Sequence, residues 1–243
     1  MCGIIGFTGN EPAKDIIIGG LERLEYRGYD SAGLALLSND QIQVRKRTGK
    51  VEELRKLCAA EKMPATCGIG HTRWATHGGV TDVNAHPHRV GKVVLIHNGI
   101  IENYRQIVTE YGLADQLVSE TDSEVVAALL NKFYEGDPVK AIKKTVKVLS
   151  GAFALCIMFQ DIPDTIYAIR NVSPMVATSC ERGSVIASDL TALIEFSKEY
   201  FVVPEYHILT LKKDGIEIQD LKGNKVTPQM LTVNWDITSA QKG

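Results

Sequence analysis

Apolar residues recur with two different periods along this chain, and the period switches several times. Residues 3–8 form an apolar run bounded by glycines, short enough for a buried strand. Pro12 then opens a stretch in which Ile17, Leu21 and Leu24 share one helical face, and that helix is expected to end near Gly28. Strand-like runs follow at 31–37 and 41–47, a helix at 51–60, and strands at 68–73 and 93–97, with a polar loop over 75–91. Thr121 and Glu124 have the spacing of a capping box, after which Val125, Val126, Leu129, Leu130 and Phe133 fall on one helical face. A further helix over 139–149 turns Val139, Ile142, Val146 and Leu149 inward.

From Gly151 onward, short β-rich segments (AFALCIMF, TIYAIR, SVIAS, YFVV, HILTL, GIEIQ) alternate with turn residues, and only 190–196 reads as another helix. Helices clustered in two places, with strands joined by short turns in place of regular βαβ crossovers, predict an α+β domain. Its antiparallel sheets should be stacked and covered by helices. The domain is expected over residues 1–236, with the polar, aperiodic residues 237–243 beginning a linker.

Composition narrows the function classes. Lys and Arg total 27 against 29 Asp and Glu, a net charge of -2, which offers no broad basic footprint for nucleic acid or an anionic membrane. No apolar run approaches the roughly 18 residues of a membrane helix, and the N-terminus lacks the basic start and long apolar core of a secretory signal. The five cysteines are odd in number and contain no C-x-x-C pair, so neither a disulfide framework nor a zinc ribbon is expected, and a reducing cytoplasm is the natural compartment. His86-Pro87-His88 has no acidic or thiol ligand nearby at a familiar spacing, so no metal site is expected.

Four segments carry candidate chemistry. If Met1 is removed, Cys2 brings a thiol and a free α-amine together on one residue. The amine titrates near about 7.7–8.0, close enough to the thiol's roughly 8.5 to take its proton without a histidine. Taken alone, Cys2 reads first as an ordinary buried cysteine at a strand start. HTRWATHG (71–78) places Arg73, Trp74, Thr76 and His77 where a strand runs into a loop. Arg73 offers a two-pronged fork to a carboxylate, or a surface ion pair. In HNGIIENY (97–104), Asn98 and Gly99 just past a strand could converge on an oxyanion, or form a simple Asn-Gly turn. Asp122 could pair with a ligand ammonium while also favouring a helix N-terminus.

MCGIIG, LEYRGYDSAG (24–33), HTRWATHG, VNAHPH (83–88), HNGIIENY and SETDSEV (119–125) occur in this order, and together they are far more specific than any one of them. In this combination the chain resembles the N-terminal glutaminase domain of the glutamine:fructose-6-phosphate aminotransferases. These are class II glutamine amidotransferases of the N-terminal-nucleophile (Ntn) type. The resemblance implies a four-layer α/β/β/α sandwich and hydrolysis of L-glutamine through a Cys2 γ-glutamyl thioester, with no cofactor. It implies Asn98 and Gly99 as the oxyanion hole, with Arg73 and Asp122 on the glutamine carboxylate and ammonium. Thr76 and His77 would belong to the substrate loop, Trp74 would be its gate, and the turn from Arg27 to Asp30, with His86, would support the site.

Ammonia would pass to fructose-6-phosphate only in a longer protein carrying a sugar-phosphate isomerase half, and the resemblance implies that this longer enzyme is a homo-oligomer. Two alternatives compete. One is the glutaminase domain of another class II enzyme, such as phosphoribosylpyrophosphate amidotransferase or asparagine synthetase; the other is a non-catalytic glutamine-binding module.

Overall fold

The computed structural model describes residues 2–75 and 78–234. In chain order the elements begin with β1 (Gly3–Gly9), α1 (Ala13–Leu24), β2 (Ser31–Ser38), β3 (Gln41–Thr48), α2 (Val51–Ala59), β4 (Cys67–Arg73), β5 (His88–Val90) and β6 (Val93–Ile101). There follow α3 (Tyr104–Tyr111), α4 (Asp122–Phe133), α5 (Pro138–Val146), β7 (Gly151–Phe159), β8 (Ile166–Asn171), β9 (Val176–Cys180) and β10 (Gly183–Ala187). The last strands are β11 (Glu199–Val202), β12 (His207–Lys212), β13 (Gly215–Asp220) and β14 (Leu231–Thr232).

The strands form two antiparallel sheets, ordered β14-β11-β9-β10-β1-β4-β2-β3 and β13-β12-β8-β7-β6-β5. Three separate apolar layers explain why nearly every central strand is buried on both faces. Ile4, Ile69, Val94, Ile96, Ala154 and Leu209 fill the space between the sheets. Ile5, Phe7, Leu34 and Leu36 point the other way and pack under Ile17, Leu21 and Leu24 of α1 and Leu54 of α2. Val93, Leu95, Phe153 and Leu155 pack beneath Val125, Val126, Leu129 and Ile142 of α4 and α5. Successive side chains of a strand leave opposite faces, so a strand covered on both faces reads as a continuous apolar run. The result is helix, sheet, sheet, helix: the expected α+β four-layer sandwich.

Four local expectations change. Residues 190–196 form only a short 3-10 turn, Leu190–Ala192, capped by the Asp189 carboxylate, which accepts from Thr191 N–H. Within the expected loop 75–91 lies β5, three residues long and paired with β6. Strand β6 does not stop at His97 but runs on to Ile101, pairing Asn98 with Ala154 and Gly99 with Phe153, so these two residues are not an Asn-Gly turn. The capping box is half formed: Thr121 Oγ1 accepts from Glu124 N–H at 3.3 Å, but the Glu124 carboxylate turns to Val118 and Ser119 N–H at 3.0 and 2.6 Å. The proposed linker residues 237–243 lie outside the described residues.

Candidate active site

Two strands in different sheets, β1 and β6, bring their ends to one cavity of about 230 Å³. Cys2, Arg27, Arg73, Trp74, His86, His97, Asn98, Gly99 and Asp122 are among the residues that line it. Cys2 immediately precedes β1, and its main-chain carbonyl accepts from Arg27 Nε at 3.2 Å and from Asn98 Nδ2 at 3.0 Å. Its Sγ donates to the Trp74 carbonyl at 3.5 Å and accepts from Trp74 N–H at 3.2 Å. Burial pushes the thiol above its ordinary pKa, and the Trp74 N–H opposes that only in part. A protonated thiol in such a setting needs a base before it can attack.

His86 lines the cavity and His71 lies beside it, yet both make poor bases. Burial pushes His71 down to about 3 and His86 well below its ordinary range. A group that binds a proton only in acid cannot hold one taken from a thiol at neutral pH. The His86 ring sits between His71, tilted at 4.0 Å between centroids, and His88, which it meets edge-on at 4.7 Å.

The remaining residues are held by backbone contacts. Arg73, the last residue of β4, is 3% exposed, which removes the surface ion-pair reading. Its Nη1 donates to Gly79 O at 3.1 Å and its Nη2 to Gly78 O at 3.4 Å. Asp122 is the first residue of α4 and is buried, with Oδ2 accepting from Ile101 N–H at 2.8 Å. Gly99 has φ +133°, and a Cβ there would stand 2.0 Å from Ala152 O, so only glycine fits and its N–H is left unshielded by a side chain. Trp74 is half exposed, its ring meeting Tyr29 edge-on at 5.6 Å. Thr76 and His77 lie outside the described residues.

In the turn from Arg27 to Asp30, Asp30 Oδ2 accepts the Ala75 N–H and so ties the segment after Trp74 to that turn. Sequence reasoning overlooked other contributors. Asp189 pairs with Arg27 at 3.1 Å, and Ser173 and Pro174 complete the cavity wall. These contacts join residues far apart in the chain, and no local pattern announces them. One residue next to that wall carries strain: Val172, β-branched and with φ +65°, precedes Ser173.

Residues 80–195 match the family described as the glutamine amidotransferase domain. The fold agrees with solved structures of that kind. One is the glutamine phosphoribosylpyrophosphate amidotransferase of B. subtilis, complexed with ADP and GMP: TM-score 0.78 at 24% identity, covering 92% of this chain and 50% of that one. Another is a glutamine aminotransferase class-II domain protein from Silicibacter pomeroyi: TM-score 0.64 at 16% identity, covering 91% of this chain and 99% of that one. Residues 80–195 thus match a glutamine amidotransferase domain, and the two-sheet fold is one that those solved structures share.

More particularly, its whole length is similar to glutamine–fructose-6-phosphate aminotransferases (isomerizing). It is 42% identical to those of Caldanaerobacter subterraneus subsp. tengcongensis and Aquifex aeolicus, and 40% to that of Staphylococcus aureus. The chain spans about two fifths of the length of these curated relatives, with coverage of 40%, 42% and 41%.

Proposed function

We propose that this domain hydrolyses L-glutamine to glutamate and ammonia through a γ-glutamyl thioester on Cys2. Removal of Met1 frees the Cys2 α-amine, which takes the Sγ proton as sulfur attacks the glutamine side-chain amide carbon. The oxygen of the tetrahedral intermediate is held by the second Nδ2 hydrogen of Asn98 and the N–H of Gly99. Collapse of the intermediate expels ammonia, which carries the proton passed back from the amine. Water, deprotonated by the same amine, then cleaves the thioester to glutamate. Arg73 holds the α-carboxylate through two parallel N–H contacts, Asp122 holds the α-ammonium, and Trp74 gates the cavity with Thr76 and His77.

The observation that carries this reading is the placing of Cys2. Its carbonyl is pinned by Asn98 and Arg27 at the cavity wall, its thiol is protonated, and the buried rings of His71 and His86 are too weakly basic to help.

Within a longer protein the ammonia would pass to fructose-6-phosphate to give glucosamine-6-phosphate, as the names of the full-length relatives suggest. All five cysteines are free, which supports a reducing cytoplasm as the working compartment.

Intact mass after treatment with a glutamine-analogue electrophile tests the reading. One adduct on Cys2 is expected, blocked by glutamine, with Cys2→Ala still binding glutamine but not turning it over. An adduct elsewhere, or turnover by Cys2→Ala, would overturn it, the latter by showing that another group is the nucleophile; glutamine binding with no turnover by the Met1-processed parent would leave a non-catalytic binding module.

A further inference from the structure

His71 is a fully buried residue that the mechanism above does not use. It belongs to β4 in the eight-stranded sheet, yet its ring reaches across to β6 in the other sheet. Its Nε2 lies 2.9 Å from Asn98 Oδ1 and 3.1 Å from the His97 carbonyl oxygen. Both neighbours are acceptors. The carbonyl is one by nature, and Asn98 Oδ1 is one because the Nδ2 end of the same amide donates to the Cys2 carbonyl at 3.0 Å. A single nitrogen facing two acceptors must carry the proton, so the neutral ring is the Nε2–H tautomer. Its Nδ1 is buried and has no hydrogen-bond partner among the described residues. The His86 ring, 4.0 Å away between centroids, covers one face.

The amide of Asn98 has two orientations related by a half-turn about its last torsion. In the other one, Oδ1 would face the Cys2 carbonyl oxygen and Nδ2 would face the His71 N–H, two repulsive contacts in place of two hydrogen bonds. The Cys2 carbonyl governs one end of this choice and His71 the other. We propose that His71 is a positioning residue: acting from the opposite sheet, it fixes the orientation of the Asn98 amide so that the second Nδ2 hydrogen faces the developing oxyanion. This rests on the assignment of Asn98 as an oxyanion donor.

A double-mutant cycle on glutamine hydrolysis separates the two ideas. His71→Leu removes the N–H and is expected to lower kcat about 10- to 100-fold, below the roughly 100- to 1,000-fold loss of a deleted donor, with KM within about threefold. His71→Gln, whose side-chain NH2 can reach the same acceptors, should recover most of the loss. In an Asn98→Ala background, His71→Leu should cost less than about twofold further, because its target is gone. If Asn98→Ala itself leaves kcat unchanged, the oxyanion assignment falls and this inference with it. If Asn98→Ala is slow but His71→Leu adds its full factor on top, the positioning role is overturned and the Asn98 assignment stands.

The imidazole nitrogen NMR spectrum of the unsubstituted protein decides the matter independently, even where His71→Leu does not fold. A protonated Nε2 and a bare Nδ1, unchanged from pH 8 down through about 6.5, where a free imidazole titrates, are expected. A proton on Nδ1, or a ring that titrates in that range, would overturn the proposal.

Discussion

Arg27 Nε donates to the main-chain carbonyl of Cys2 at 3.2 Å while Nη1 of the same guanidinium pairs with Asp189 Oδ2 at 3.1 Å. The two contacts tie the residue before β1 to the loop after β10. A lysine can point at one partner but cannot span both. Arg27→Lys is expected to slow labelling of Cys2 by a glutamine-analogue electrophile about tenfold. It should also cost about 1–2 kcal/mol in denaturant unfolding, the usual penalty for a partly buried group left short of a partner. Parent-like labelling would mean that the carbonyl needs only Asn98.

Arg73→Lys should raise KM for glutamine about 10- to 100-fold with kcat changed less than about threefold. A charge-assisted pair is worth about 1.5–3 kcal/mol, and an ammonium cannot reproduce two parallel contacts to one carboxylate. Discrimination against analogues lacking the α-carboxylate should shrink by a similar factor. Unchanged values on both counts would remove Arg73 from the binding site.

Met1 decides whether the proposed base exists. While it is attached, the Cys2 nitrogen is a peptide amide without a basic lone pair, although the thiol remains. Protein retaining Met1 should show little or no glutaminase activity, and aminopeptidase treatment should restore it in proportion to the mass lost. Equal specific activity before and after processing would rule out the amine as the base and put His77 first in line, since burial leaves His86 too weakly basic.

Three buried histidines, His71, His86 and His88, stay neutral in the fold because burial lowers their pKa values. Unfolded, each titrates near about 6.5, so below that pH the unfolded chain binds protons that the native state does not. Stability is therefore full above about pH 7 and lost as pH falls from about 6.5, at about 1.4 kcal/mol per pH unit per histidine once the unfolded ring is protonated. From pH 7 to 5.5 the three should cost about 3–4 kcal/mol, before most carboxylates titrate. Denaturant midpoints at the two pH values check this, and His71→Gln should flatten the dependence by about a third. A flat profile would mean that the rings are hydrated.

Val172 is 66% exposed and held at φ +65°, with its N–H donating to Glu205 Oε1 at 3.2 Å and its carbonyl accepting from Arg170 Nη1 at 3.3 Å. The left-handed conformation costs an L-residue about 1–2 kcal/mol, while glycine's extra unfolded-state freedom costs about 0.5–1 kcal/mol. Relief of the strain therefore outweighs the added freedom. Val172→Gly should stabilise the fold by about 0.5–1 kcal/mol and raise Tm by about 1–3 °C. A lower Tm would show that the isopropyl group makes contacts worth more than the strain.

How much of this was legible in the sequence depended on whether the deciding contacts were local. The runs at β1, β2 and β7 and the faces of α1 and α4 were readable because burial on a fixed side leaves a period. Helix α3 left little trace, since Ile107 is its one buried residue, and β5 is too short to have a period at all. Asn98 and Gly99 looked like a turn by residue type, yet pairing with β7 carries the strand through them. The reach of His71 to Asn98 spans two sheets, and Asp30 meets Ala75 only because β2 pairs with β4. Recognition of whole motifs supplied the site residues that periodicity could not.

Strand β1 is paired on both edges, with β4 and β10, and Ile4, Ile5 and Phe7 are wholly buried. Its amide hydrogens can therefore meet solvent deuterium only when the whole domain opens, and they should be among the slowest to exchange. Cys2 is thus mounted on the part of the molecule that lets go last. A ligand that binds only the native state should slow exchange across Ile4 to Thr8 by one common factor, equal to the gain in global stability it confers. The amides of that stretch would then act as an internal gauge of how tightly any glutamine analogue is held, without reference to turnover.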